Sequence, residues 1–356
     1  MAEKKVLYVA STAPHLRRFH EPYLAALRDR YTVRTMACGD GVDYDIPFEK
    51  KIFGLRNLRV VRMIRAILRR ERFDAVILNT SLAAAMVRFA VGGLRRRPRI
   101  LNVVHGYLFE VPPQGLRDRL LLACERLLAR RTGTVAVMNR KDLEVAERYR
   151  LSRGKVLFLH GMGLPEREIP GRDPERRAKY AGEGDLLLTY VGELSRRKNQ
   201  SFLIRATARL RETGVPVRLL LIGEGDERVA LEEEIDRLGL RDAVHLTGSL
   251  ENVYAELAAT DLYVSASRSE GLPFNLLEAM QCGLPILASD VRGQSDLLGS
   301  ENLYPPGDLD AFCAGVARLA AGERGVGSVS YPALERYLLH TVLGENLGVF
   351  REVIEG

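Results

Sequence analysis

The sequence predicts an α/β protein built as two consecutive doubly wound domains, and three observations carry that prediction. Its 356 residues exceed the length at which one hydrophobic core stops growing. Short apolar, β-branched runs alternate with helical patterns along most of the chain, which is the arrangement that builds βαβ units on a parallel sheet. The alternation is interrupted once, at His160-Gly-Met-Gly-Leu-Pro165 and a charge-rich stretch to Asp185, which reads as a linker.

In the first series, strands are expected at Lys5–Ala10, Tyr31–Ala37, Ala75–Asn79, Ile100–Val104, Thr134–Met138 and Val156–Leu159. Helices are expected near Pro22–Arg30, Leu58–Arg72, Leu82–Gly92, Leu116–Arg130 and Arg140–Tyr149. In the second, the strands are Leu186–Val191, Val217–Ile222, Val244–Thr247, Leu262–Ser265 and Pro285–Ala288. Its helices lie near Gln200–Thr213, Arg228–Leu238, Asn252–Ala258, Pro273–Gln281, Gln294–Leu298 and Leu309–Ala321. The domains are therefore 1–163 and 164–337, both Rossmann-like, expected to face one another across a cleft. Ligands of such sheets bind at the carboxyl ends of strands.

Composition narrows the class. Four cysteines without a CxxC pair argue against a disulfide scaffold or a zinc ribbon. No apolar run is long enough to span a bilayer, and Val6–Ala10 is too short for a signal sequence. A cytoplasmic protein is expected. The net charge of +7 conceals an asymmetry: residues 1–150 carry +15 and the remainder −8. The basic half points to phosphorylated substrates, anionic lipid or nucleic acid. Residues 55–70 place Arg59, Arg62, Arg65 and Arg69 beside Leu58, Val61, Ile64 and Leu68. That is a basic amphipathic helix, suited to a membrane surface or to packing on a sheet.

The most informative segment runs from Ser267 to Gly283. It follows a strand, turns at Gly271 and opens a helix near Pro273, where a missing N–H costs nothing. Backbone N–H groups at such a terminus favour a phosphate. Glu270 in the loop and Glu278 on the helix flank this anion site. Carboxylates accept hydrogen bonds from vicinal hydroxyls, so the pair suits a sugar and a ribose around a diphosphate.

Glu270-Gly271-Leu272-Pro273-Phe274-Asn275, then Glu278, Gly283-Leu-Pro285 and Ser289-Asp-Val-Arg-Gly293, resembles the Glu-x7-Glu signature of retaining GT-B glycosyltransferases of family 4, particularly capsule and exopolysaccharide members. The resemblance implies the GT-B fold, with the last helix, about 338–356, crossing back onto the first domain. It gives the first domain to the acceptor and the second to the nucleotide sugar. It places Glu270 on donor sugar hydroxyls, Gly271 to Asn275 near sugar and diphosphate, and Glu278 on the ribose. In Gly192-Glu-Leu-Ser-Arg-Arg-Lys198, Lys198 matches the family lysine that neutralises the leaving diphosphate. Glu193 stands where the family has arginine, and a glutamate there repels the diphosphate, so Arg196 or Arg197 is expected to supply the second cation. Gly223 would line the nucleotide pocket. His105, after a first-domain strand, would hydrogen-bond the sugar or the acceptor. Thr12 and His15 lie in the expected acceptor-side loop, Ser11–His15.

The resemblance thus implies retaining transfer of a hexosyl or N-acetylhexosaminyl group, UDP being the expected nucleotide, to a glycan or polyprenyl-diphosphate-linked acceptor in surface polysaccharide synthesis. It expects no cofactor and no metal, and docking on the inner face of the membrane. Asp43-Tyr44-Asp45 matches a metal-binding Asp-x-Asp, but its polar, glycine-flanked setting reads as loop chemistry. The six histidines contain no His-x3-His pair, so spacing suggests no zinc site. Rival readings are a GT-B sugar-nucleotide epimerase, a phosphorylase, and a non-catalytic basic binder of nucleic acid. The last finds little support: tryptophan is absent and aromatic residues are 7%, leaving few platforms for bases.

Overall fold

A computed structural model describes residues 3–48, 56–321 and 330–356. They divide into two compact units, Met1–Gly163 with Arg336–Gly356, and Leu164–Glu335.

The first unit contains β1 (Lys5–Thr12), α1 (Ala13–Arg28), β2 (Thr32–Cys38), β3 (Tyr44–Asp45), α2 (Arg56–Glu71), β4 (Ala75–Asn79), α3 (Ser81–Val91), β5 (Arg99–Val104), α4 (Leu116–Ala129), β6 (Thr134–Val137), α5 (Arg140–Arg148) and β7 (Lys155–Phe158). The strands form one parallel sheet in the order β3-β2-β1-β4-β5-β6-β7. β4 is buried at every residue and β1 from Val6 to Ala10, as expected for strands covered on both faces.

The second unit contains α6 (Pro174–Ala178), β8 (Leu186–Val191), α7 (Gln200–Glu212), β9 (Val217–Ile222), α8 (Arg228–Arg237), β10 (Val244–Gly248), α9 (Tyr254–Ala259), β11 (Leu262–Ser265), α10 (Phe274–Gln281), β12 (Ile286–Ser289), β13 (Leu303–Tyr304) and α11 (Leu309–Ala320). Its parallel sheet runs β10-β9-β8-β11-β12-β13. Strand order reverses between β1 and β4 in one sheet and between β8 and β11 in the other. These switch points are where doubly wound sheets open a crevice for ligands.

The final helix α12 (Leu339–Glu355) belongs to the first unit. Buried Asn346 donates to Tyr23 Oη at 2.9 Å and to the Gly161 carbonyl at 2.8 Å. Lys4 and Arg99 donate to the Ile354 carbonyl at 3.0 Å.

Several sequence expectations are corrected. α1 begins at Ala13, nine residues before the expected Pro22, which lies inside the helix. Pro14 fills the first helical turn, where the absent N–H is not needed. The expected loop Ser11–His15 is thus the end of β1 and the start of α1. The expected helix at 294–298 is a series of turns. The expected linker holds α6, capped by Asp173. Tyr44–Asp45 forms an edge strand, and Asp43 is spent on Arg34 and Thr35. On α2 the buried stripe is Asn57, Val60, Ile64 and Leu68, whereas Leu58 is exposed. Leu55 lies outside the described residues. Arg65 and Arg69 donate to carbonyls at the end of α3 and just beyond it. The apolar face of α2 is therefore occupied by the sheet and α3, not left for a membrane.

Candidate functional site

In the second unit, the loops after β8 and β11 meet at the switch point. Lys198 comes from the first loop and Glu270 from the second, and Lys198 Nζ donates to Glu270 Oε1 at 2.6 Å. Arg197 Nη1 donates to Glu270 Oε2 at 2.8 Å and to the Ser269 carbonyl at 2.9 Å. The backbones are stitched as well: Arg268 N donates to the Arg197 carbonyl at 2.8 Å, and Asn199 Nδ2 to the Ala266 carbonyl at 3.2 Å.

Lys198 is 9% exposed and Glu270 6%. Burial raises the Glu270 carboxyl, but Lys198 and Arg197 outweigh it and hold the group below the usual carboxylate range. Burial lowers the Lys198 ammonium and prevails over the pull of Glu270. The site is a buried Lys198–Glu270 ion pair with a second, half-exposed cation, Arg197, at its edge. An ammonium has three donors, and Glu270 takes one.

Arg196 is not part of this cluster; its side chain is largely in solvent and pairs with Glu227 at 3.2 Å. Of the two arginines expected to supply a second cation, the structure brings only Arg197 to Glu270. Glu193 is exposed, and its backbone carbonyl accepts from Gln200 Nε2 at 2.7 Å.

Glycines let the strand ends approach. At Gly223 (φ +148°), a Cβ would fall 2.0 Å from the Gly192 carbonyl oxygen. Gly192 sits at φ +150° with its N–H on the Ile222 carbonyl. Gly271 and Leu272 follow Glu270 in a bend, Pro273 occupies the N-cap of α10, and Phe274 opens the helix. Asn275 is committed to the fold: its Nδ2 donates to the Val191 carbonyl at 2.5 Å, tying α10 to β8. Glu278 lies half-buried on α10.

A third loop, after β12, supports Glu270, and sequence reasoning assigned it no side-chain role. Arg292 Nε donates to Ser269 Oγ at 2.9 Å, buried Gln294 to Ser265 Oγ at 2.5 Å, and Ser289 Oγ to the Ser267 carbonyl at 2.6 Å. A Cβ at Gly293 would lie 2.5 Å from the Gly271 carbonyl oxygen. The signals for this loop were its place after a strand and the fit of Ser289-Asp-Val-Arg-Gly293 to the family pattern, which gave its side chains no role.

The first-unit candidates gather separately. His105 follows β5, and Gly106 (φ +125°) turns the chain so that Tyr107 N donates to buried Asp142 at 3.3 Å. His15 lies in the first turn of α1, with its ring centroid 5.5 Å from that of His105. His20, also on α1, completes a group that spacing did not reveal. Burial lowers His15 to about 4 and His105 to about 3, with His15 adding to the latter; it lowers His20 as well. Thr12 is exposed at the N-cap of α1, without a side-chain capping bond.

Residues 171–326 match the family Glycosyl transferases group 1, and residues 6–161 match the Glycosyl transferase 4-like domain. A Bacillus subtilis (strain 168) protein named as glycosyltransferase EpsD is 28% identical over 89% of this chain and 87% of its own length. The Escherichia coli UDP-Gal:alpha-D-GlcNAc-diphosphoundecaprenol alpha-1,3-galactosyltransferase is 24% identical over 74% of this chain and 71% of its own. Among solved structures, Anabaena Alr3699/HepE in complex with UDP and glucose superposes with a TM-score of 0.76 at 18% identity, covering 98% of this chain and 100% of that one. The sucrose-phosphate synthase of Thermosynechococcus elongatus gives 0.80 at 18% identity, covering 99% and 100%. These likenesses establish the GT-B glycosyltransferase fold.

Proposed function

The chain belongs to the glycosyltransferases that join a Glycosyl transferase 4-like domain to a group 1 domain, and from that premise we propose that it is a retaining enzyme of family 4. In this reading it moves a hexosyl or N-acetylhexosaminyl group from a UDP-sugar to a lipid-linked glycan acceptor. The observation that carries the reading is the Lys198–Glu270–Arg197 cluster at the β8/β11 switch point.

Cleavage of a nucleotide sugar leaves a diphosphate whose charge must be met as it develops. Lys198, with two donors not taken by Glu270, and Arg197 at the edge of the cluster meet it from fixed positions. That arrangement needs no metal at the diphosphate. Glu270 keeps Lys198 charged in a buried setting and offers its remaining lone pairs to sugar hydroxyls. Glu278 takes the ribose, and Gly192, Gly223 and Gly271 leave room for the phosphates. The acceptor oxygen attacks from the face the leaving group departs, and a β-phosphate oxygen receives its proton. Catalysis then rests on positioning and electrostatics.

A lipid-linked acceptor is supported by the named acceptor of the Escherichia coli relative and by the surface of the first unit. On α4, Leu116, Leu120 and Leu127 are exposed. Leu127 also lines a groove of about 1170 Å³ with Arg126, Arg130, Arg148, Arg150 and Arg153. Apolar side chains flanked by arginines suit an anionic membrane surface. We therefore assign membrane docking to α4 rather than α2. No helix among the described residues is long and apolar enough to cross a membrane.

The test is nucleotide release from a panel of UDP-, GDP- and ADP-sugars, with and without a polyprenyl-diphosphate glycan, using Glu270→Gln as control. Release from one UDP-sugar, lost in the variant, supports the assignment. Release that survives Glu270→Gln removes Glu270 from the chemistry.

A further inference from the structure

We propose that His15, His20 and His105 form a binding site for one divalent transition-metal ion of the zinc class. One ring nitrogen of each lies within 4.8 Å of those of the other two. The ring centroids are 5.1, 5.5 and 5.9 Å apart. The Nε2 atoms of all three are buried and have no hydrogen-bond partner. Packing alone would leave those three polar atoms unsatisfied, an arrangement that native interiors avoid. A single cation ligated by all three Nε2 atoms would satisfy them at once.

The surroundings suit a ligand set. His20 Nδ1 lies 2.9 Å from Tyr8 Oη, and when Nδ1–H donates to that oxygen, Nε2 carries the lone pair that binds metal. The fold also brings the ligands from two elements fixed by the sheet, β5 with its following turn and α1. Imidazole is a preferred ligand for zinc, cobalt, nickel and copper, whereas magnesium and calcium prefer oxygen. Tetrahedral zinc sits about 2.0–2.1 Å from each ligand nitrogen, a geometry for nitrogens that here lie within 4.8 Å of one another. Three protein ligands leave a fourth position for water or an incoming oxygen. An ion there would compete for His105 with the sugar or acceptor hydroxyl that the family resemblance assigns to it.

The test uses tag-free, chelator-treated full-length protein titrated with Co2+, read by its visible d–d absorption, and then with Zn2+ in competition. One equivalent of Co2+ should give the intense band of a four-coordinate site, and Zn2+ should bleach it. Half-exposed His15 is the safest position to change: His15→Ala should weaken Co2+ binding by at least about tenfold, as expected for loss of a metal ligand or its support. His160→Ala, at a histidine outside the cluster, should leave it unchanged. Zn2+ should raise the melting temperature of the wild type but not of His15→Ala. Absence of a Co2+ band in the wild type, or equal binding by wild type and His15→Ala, overturns the proposal. His105→Gln, with circular dichroism to check its fold, gives a second reading of the same outcome. No donor sugar is present, so this result and nucleotide release succeed or fail separately.

Discussion

Glu270 and Lys198 stand 72 positions apart in the chain, and their side chains meet at 2.6 Å with both nearly excluded from solvent. Removing Glu270 strands the buried Lys198 ammonium, which costs about 3–5 kcal/mol in comparable cases, whereas removing Lys198 leaves Glu270 paired with Arg197. Glu270→Ala should lower stability by that order and Lys198→Ala by less. The double variant should be less destabilised than the sum, with a coupling of about 1–3 kcal/mol. A urea double-mutant cycle checks this; additive losses would mean the two groups do not share one environment.

The same pair sets an acid limit. The Glu270 carboxyl sits below its ordinary value of 4.5 in the folded protein. Its contribution to stability is thus complete above about pH 4.5 and is lost as pH falls through the folded value. Glu270→Gln should flatten the acid limb of a stability-versus-pH curve. An unchanged limb would place the acid sensitivity elsewhere.

Neighbouring arginines should behave differently in turnover. Arg197 reaches Glu270, while Arg196 reaches Glu227 from solvent. Lys198→Ala should lower kcat by about 10²–10³, the scale of losing one preorganised charge-stabilising group. Arg197→Ala should lose about tenfold or more, and Arg196→Ala less than about threefold. Equal losses at both arginines would contradict the geometry.

Gly223→Ala probes the strand ends. The added methyl would meet a backbone oxygen at 2.0 Å from a backbone at φ +148°, so neither neighbour nor backbone has an easy way out. A loss of at least about 2–3 kcal/mol is expected. Calorimetry reads it; a neutral result would require β8 and β9 to part at their carboxyl ends without cost.

Docking on α4 predicts that Leu116→Ser with Leu120→Ser weakens flotation with anionic vesicles. Leu58→Ser on α2 should leave flotation unchanged. Arg148→Glu with Arg150→Glu, in the adjoining groove, should weaken flotation at low salt and make what remains less sensitive to salt. Equal effects of the α2 and α4 changes would return α2 to consideration.

Much of this was legible because it is periodic or local. Buried parallel strands are unbroken apolar runs, so β4 and β8 declare themselves. The segment around Glu270 carries its loop, proline and helix within a dozen residues. What was hidden depends on direction and distance. Arg196 and Arg197 are adjacent in sequence, and only the path of the loop decides which faces Glu270. Pro22 looked like a helix start because proline favours first turns, but Pro14 already fills that place. On α2 the expected and observed stripes share Ile64 and Leu68 and part only in the first turns, where Asn57 and Val60 rather than Leu58 and Val61 turn inward. The histidine cluster joins positions 15, 20 and 105, whose spacing matches no ligand pattern until the sheet brings α1 beside the end of β5.

Helix α12 returns the C-terminus to the unit that the N-terminus begins, so the second unit is spliced into the first as a continuous insert. A ribosome making this chain therefore delivers the whole second unit before the last piece of the first exists. Lys4, Tyr23 and Arg99 wait through synthesis of the whole insert for their partners on α12. The insert can fold during translation before α12 arrives to complete the unit around it.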